Sequence, residues 1–147
     1  MRTAPLSGTL EDVPDASADL ARDPALHGAL IAELAKRTGV CWLTYGGATH
    51  PVWHLWLDGA LCLVSGGDEQ PLPGIEAVER VEVSMRSKHT GGRLVSWEGT
   101  VAVVRPGDEL WDRVTSALVQ ARLNLRDPST ATAEWAHNSV VTRITPT

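Results

Sequence analysis

Two apolar runs meet at Asp58-Gly59, and this pair narrows the range of folds more than any other part of the chain. Asp-Gly between such runs signals a two-residue hairpin, because a type I′ turn needs positive φ that Gly adopts without strain. The hairpin spans Thr49 to Gly67. In its first arm Trp53, Leu55 and Leu57 alternate with His54, Trp56 and Asp58; in its second, Leu61, Leu63 and Ser65 alternate with Cys62 and Val64. Both faces of both arms are largely apolar, so core, a partner or a ligand must cover each arm on two sides. The second arm runs into Ser65-Gly66-Gly67, small residues that let another molecule approach the backbone.

The remaining elements arrange themselves about this hairpin. Residues 1–22 mix Pro, Ser, Asp and Gly with few large apolars and read as a mobile tail, with docking across a partner subunit as the alternative. Residues 23–147 read as one domain. Asp23-Pro24 opens a helix with Leu26, Leu30, Ile31 and Leu34 on one face, Lys36 and Arg37 in its last turn and Gly39 at its end. Val40 to Tyr45 is a first strand, turned by Gly46-Gly47. After the hairpin, Asp68 to Pro73 reads as a polar loop and Gly74 to Glu79 as a single helical turn. Val81, Val83 and Met85 mark a half-exposed strand, and Leu94 to Val104 the longest one. A helix capped by Asp108 or Gly107 carries Trp111, Val114, Leu118 and Ala121 as its apolar stripe. Ser129 to Ala133 reads as a linker, Trp135 as a residue packed on the sheet, and Val140 to Thr145 as a last strand. Six strands, two substantial helices and mostly short links favour an antiparallel, barrel-like sheet flanked by helices, in the mainly β or α+β class.

Composition excludes several classes of function. A formal net charge of −5 argues against general nucleic-acid binding, which needs a Lys/Arg excess. No apolar run approaches the ~20 residues of a membrane span, and Arg2 is not followed by an apolar signal region. Cys41 and Cys62 fit no metal or redox spacing and read as free buried thiols in a reducing cytoplasm. His50 and His54 share a strand face, with Asp58 further along, but lack a third metal ligand; hydrogen-bonded histidines are the expectation. No nucleophile triad, dinucleotide fingerprint or phosphate-cradling motif stands out, so no catalytic residue is assigned. With six Trp, one Tyr and no Phe, Trp53 and Trp56 serve either the core or ligand stacking.

The order of elements, together with Pro51-Val52-Trp53, Trp56 and Asp58-Gly59, resembles the pyridoxamine-phosphate-oxidase-like split-barrel family. The resemblance runs from about Pro24 to Pro146. It implies a six-stranded antiparallel Greek-key split barrel, a cytoplasmic homodimer, and a flavin mononucleotide (FMN) or deazaflavin cofactor at the subunit interface. It places Pro51, Val52, Trp53 and His54 beside the flavin ring, and Ser65 and Gly66 near the phosphate. The match fails at one point: the loop where such proteins carry a phosphate-binding Arg or Lys reads Gly66-Gly67-Asp68-Glu69-Gln70, two acids and no cation. Two carboxylates beside a dianionic phosphate repel it. Three readings follow. Arg86 and Lys88 supply the charge, the ligand is less anionic, or the fold is kept as a non-catalytic binding protein with the flavin lost. If a flavin or deazaflavin is bound and the protein is an enzyme, the cofactor carries hydride transfer to or from a small organic substrate.

Overall fold

The computed structural model describes residues 24–87, 92–122 and 127–147, with the backbone alone at 24–26 and 93. The tail expected at 1–22 lies outside them, as do Asp23, Lys88 and His89. The chain divides into two units, Met1–Glu33 and Leu34–Thr147. The described part of the first is helical: α1 (Pro24–Arg37) begins there and ends in the second, with Lys36 and Arg37 in its last turn. The Thr38 N–H and hydroxyl both donate to the Leu34 carbonyl, at 3.1 and 2.8 Å, and close the helix.

The second unit carries the sheet. Its strands are β1 (Val40–Tyr45), β2 (Ala48–Trp53), β3 (Leu55–Leu57), β4 (Ala60–Ser65), β5 (Arg80–Ser87), β6 (Arg93–Val104) and β7 (Val140–Pro146). Helices α2 (Trp111–Ala121) and α3 (Pro128–Asn138) lie between β6 and β7, and a 3-10 turn, Ile75–Ala77, precedes β5. The spatial order is β2-β1-β5-β6-β7-β4-β3, every pair antiparallel. The two outermost strands, β2 and β3, are successive pieces of one stretch of chain, so the sheet curls round and its ends meet at His54.

The sheet has seven strands, where the sequence suggested six. The hairpin's first arm is not continuous: β2 pairs with β1, β3 pairs with β4, and His54 between them gives its N–H to the Gly39 carbonyl at 3.0 Å. The expected tight turn is present, with φ of 53° at Asp58 and 77° at Gly59. Gly46 and Gly47 form a second positive-φ turn between β1 and β2.

A third helix, α3, replaces the expected linker. Asp127 caps it, its carboxylate accepting from the Ser129 N–H at 3.0 Å, and Pro128 sits at the first helical position. This is the same Asp-Pro signal that marks α1. The cap expected for α2 is also displaced. Asp108 accepts from the Arg105 N–H at 2.8 Å and closes the preceding turn, while Leu110 takes the N-cap position without a side-chain bond.

Every residue of β4 is buried. Alternation explains this. Leu61, Leu63 and Ser65 face the same way, while Cys62 and Val64 face a second cluster with Trp111, Val114 and Leu118 of α2 and Ala131 and Trp135 of α3. The two-sided cover inferred for the second arm is thus supplied, for Cys62 and Val64, by the chain's own helices. Both cysteines are free and buried; burial pushes the Cys41 thiol up to about 12 and Cys62 to about 11, so neither is a ready nucleophile. No helix among the described residues is long and apolar enough to cross a membrane.

His54 carries a pH consequence. Its Nε2 donates to the Ala35 carbonyl at 3.1 Å, while Nδ1 is buried without a partner. Desolvation holds its pKa below the ordinary 6.5, partly opposed by the Ala35 bond. The neutral ring is the form the fold accommodates, and the unfolded chain binds the proton more readily. The contribution of His54 to stability is therefore intact above 6.5 and is lost as pH falls from there through the lower folded-state value. Urea midpoints measured across this range should decline with acidity in the wild type, and His54→Gln should decline less.

Candidate functional site

The β3–β4 register, Leu55 opposite Cys62, would bring Trp53 opposite Val64 if the pairing continued. It does not continue. The carboxamide of Gln70 stands in the gap: Oε1 accepts from the Trp53 N–H at 2.9 Å, and Nε2 donates to the Trp53 carbonyl at 3.0 Å and the Val64 carbonyl at 3.2 Å. One side chain thus does the work of a missing stretch of strand. The loop beneath it is folded on itself, with the Gly66 N–H bonded to the Gln70 carbonyl at 2.9 Å and the Glu69 N–H to the Gly66 carbonyl at 3.0 Å. The junction of α3 and β7 holds it from outside. The Ser139 hydroxyl donates to the Gly66 carbonyl at 2.9 Å, and a Cβ on Gly67 would come within 2.8 Å of the Asn138 carbonyl oxygen. The small residues do permit a close approach, and what approaches is this chain's own backbone.

The sequence reads Glu69, with Asp68, as part of a polar loop. Instead its side chain is 8% exposed and ion-paired with Arg122, which follows α2 and is itself only 20% exposed. The second carboxylate oxygen accepts from the Trp135 indole N–H at 3.1 Å. The Arg122 guanidinium also lies over the Trp53 ring, 4.8 Å from its centroid, so it is oriented by stacking as well as by charge. Loop, helix ends and hairpin therefore converge on a cluster of Trp53, Glu69, Gln70, Arg122 and Trp135. No local sequence signal marks Arg122. It lies more than fifty positions from its partner, and only the fold joins them.

Of the residues expected to hold a cofactor, Trp53 and Gly66 belong to this cluster or its loop. Val52 and Ser65 are buried, at 2% and 1% exposure. Pro51 is exposed on β2, and His54 is committed to Ala35. Arg86 is exposed and donates to the Gly92 carbonyl at 2.6 Å, at the end of β5 beyond the residues paired with β1. Lys88 lies outside the described residues. His50 stacks on Tyr45 with ring centroids 5.1 Å apart, and no group of three or more metal-ligating side chains occurs among the described residues. At the hairpin tip, Arg113 of α2 donates through two nitrogens to Asp58, and these bonds hold that carboxyl below its ordinary range. Both partners are exposed, so the pair orients the turn more than it stabilises the fold.

No family profile and no curated protein matches the sequence. Solved structures do match. The haem storage protein HutZ from Vibrio cholerae aligns over 81% of this chain and 89% of its own, at 11% identity and a TM-score of 0.54. A pyridoxamine 5'-phosphate oxidase candidate from Listeria innocua aligns over 82% and 93%, at 18% identity and a TM-score of 0.53. A FAD-binding protein from Mesorhizobium loti aligns over 80% and 86%, at 20% identity and a TM-score of 0.53. At such identities the likeness concerns architecture, and it agrees with the curled antiparallel sheet and flanking helices described above. The chain has the fold of the pyridoxamine 5'-phosphate oxidase-like split barrels.

Proposed function

We propose that this protein is a cytoplasmic, homodimeric split barrel that binds a small molecule without catalysing a reaction and without gripping a flavin phosphate. One observation carries the reading: Glu69, in the loop where the resemblance expects a phosphate, is held in place by Arg122 and Trp135. The N–H and carbonyl of Trp53, one of the residues the resemblance places beside a flavin ring, are both taken by Gln70, which supports the same conclusion. A phosphate entering here would have to displace a buried carboxylate from its ion pair. Purified protein should be colourless, and FMN titrated into it should show no saturable change in flavin fluorescence. A yellow protein, or saturable FMN binding, would overturn the reading.

The rival is a flavin- or deazaflavin-dependent oxidoreductase, favoured by the FAD-binding neighbour from Mesorhizobium loti and by the half-buried Trp53. In that case Glu69 and Gln70 must swing out when the cofactor enters. Haem, the cargo of the Vibrio cholerae neighbour, finds His54 already bonded through Nε2 to Ala35.

The homodimer is supported by one outward sheet face. Val40, Trp42 and Thr44 alternate with buried Cys41 and Leu43 on β1; beside them lie Pro51 on β2, Ser84 on β5, and Leu94 and Ser96 on β6. Val40 and Leu94 are 50% and 51% exposed on this face, with Arg86 directly across from Leu94. Leu94→Asp should convert the dimer to a monomer in sedimentation velocity while leaving the far-ultraviolet circular dichroism unchanged. A dimer that persists would remove this face from consideration.

A further inference from the structure

We propose that Arg122, Trp135 and the covered face of Trp53 form an oxyanion receptor that Glu69 keeps closed. The ligand class is a carboxylate or phosphate, free or carried on a small organic molecule. The inference rests on the preceding reading in one respect, that the wild-type site is self-occupied. Three features point to a receptor and not to a chance ion pair. Two donors from separate elements, the guanidinium that follows α2 and the indole N–H of α3, meet on one carboxylate. Each donor is positioned without Glu69: the guanidinium stacks over Trp53 at 4.8 Å, and the Trp135 ring is buried in the cluster beneath the helices. The loop bearing Glu69 is likewise anchored by other groups, Gln70 on Trp53 and Val64, and Ser139 on Gly66. The cradle should therefore survive loss of the carboxylate that fills it.

The carboxylate of Glu69 has the charge and the paired oxygens of the ligand it excludes. An incoming oxyanion would keep the same two donors and release Glu69 toward water, beside exposed Asp68. No net hydrogen bond is lost in that exchange. The barrier is competition: a group tethered on a short loop acts at an effective concentration of about millimolar or above. Wild-type affinity for a free oxyanion is reduced accordingly.

The test uses inorganic phosphate, which has no ring and so does not depend on whether flavin binds. The readout is the Trp135 indole N–H resonance, assigned with Trp135→Phe. In Glu69→Ala, phosphate should shift this resonance with a midpoint at least about tenfold lower than in the wild type. Glu69→Ala with Arg122→Ala should lose the gain. If Glu69→Ala does not fold, Glu69→Gln, which retains the shape of the side chain but not the charge, should show a smaller gain of the same sign. A response unchanged from wild type in the folded variant, or a gain that persists without Arg122, overturns the receptor. Wild-type flavin binding together with a phosphate gain in Glu69→Ala would overturn the preceding reading alone.

Discussion

Gly99→Ala should destabilise the fold by about 3 kcal/mol, near the upper end for small-to-large changes in a packed interior. Gly99 lies mid-strand on β6, opposite Val81 of β5 and Pro146 of β7. A Cβ there would stand 2.3 Å from Ile144 Cγ2 and 3.0 Å from Trp97 Cζ3. Ile144 is fully buried and Trp97 is 4% exposed, so neither can swing into solvent. A domain of this size loses about 2–4 °C of Tm per kcal/mol, so thermal unfolding should move down by about 6–12 °C. The cause can be isolated with Ile144→Ala, which removes the clashing methyl. The double variant should be less destabilised than the two single changes added together. Strict additivity in urea denaturation would show that the loss has another source.

Trp135→Ala should cost about 4 kcal/mol, within the range for deleting a buried aromatic. The ring is 2% exposed and packs with Cys62, Val64, Val104 and Trp111 beneath α2 and α3. Its indole N–H is also a donor to Glu69, so truncation leaves a mostly buried carboxylate short of one bond. Trp135→Phe separates the two losses. It keeps most of the apolar volume and removes the donor, and it should cost about 1–2 kcal/mol. Equal urea midpoints for the Phe and Ala variants would mean that the hydrogen bond dominates and the packing argument is wrong.

Much of this fold is legible in the residues, and the rest is hidden for identifiable reasons. The Asp58-Gly59 turn, β1, β5 and β6 announce themselves because turn chemistry and alternation are local signals. The break at His54 does not, because neither Gly nor Pro marks it; the bend follows from closing the sheet, not from the preferences of the chain there. Helix α3 opens at Asp127-Pro128, but after a long helical segment that pair reads as its close, and residues 129–133, Ser-Thr-Ala-Thr-Ala, have little apolar periodicity and read as a connection. At the site, the resemblance singles out Trp53 and the loop after Ser65 for a cofactor, and the fold joins the two through Gln70. Glu69 and Gln70 read as a solvated loop because a polar side chain that replaces a strand, or fills an anion receptor, looks the same in sequence as one that faces water. Arg122 carries no local sign of its role. Its meaning depends on a partner brought near by the whole barrel.

Gln70 also bears on how the folded protein avoids its own kind. The outer side of β2, away from β1, is a strand edge to which another chain can add by main-chain pairing. Trp53 presents its N–H and carbonyl to that side, and Gln70 occupies both. Residues two apart on a strand present the same way, so Pro51 faces there too and has no N–H to offer. Two consecutive docking positions on this edge are therefore closed, one by a borrowed amide and one by a missing donor. Gln70→Ala would reopen the first. Its signature would be slow, concentration-dependent self-assembly, more visible in light scattering than in any change of melting temperature.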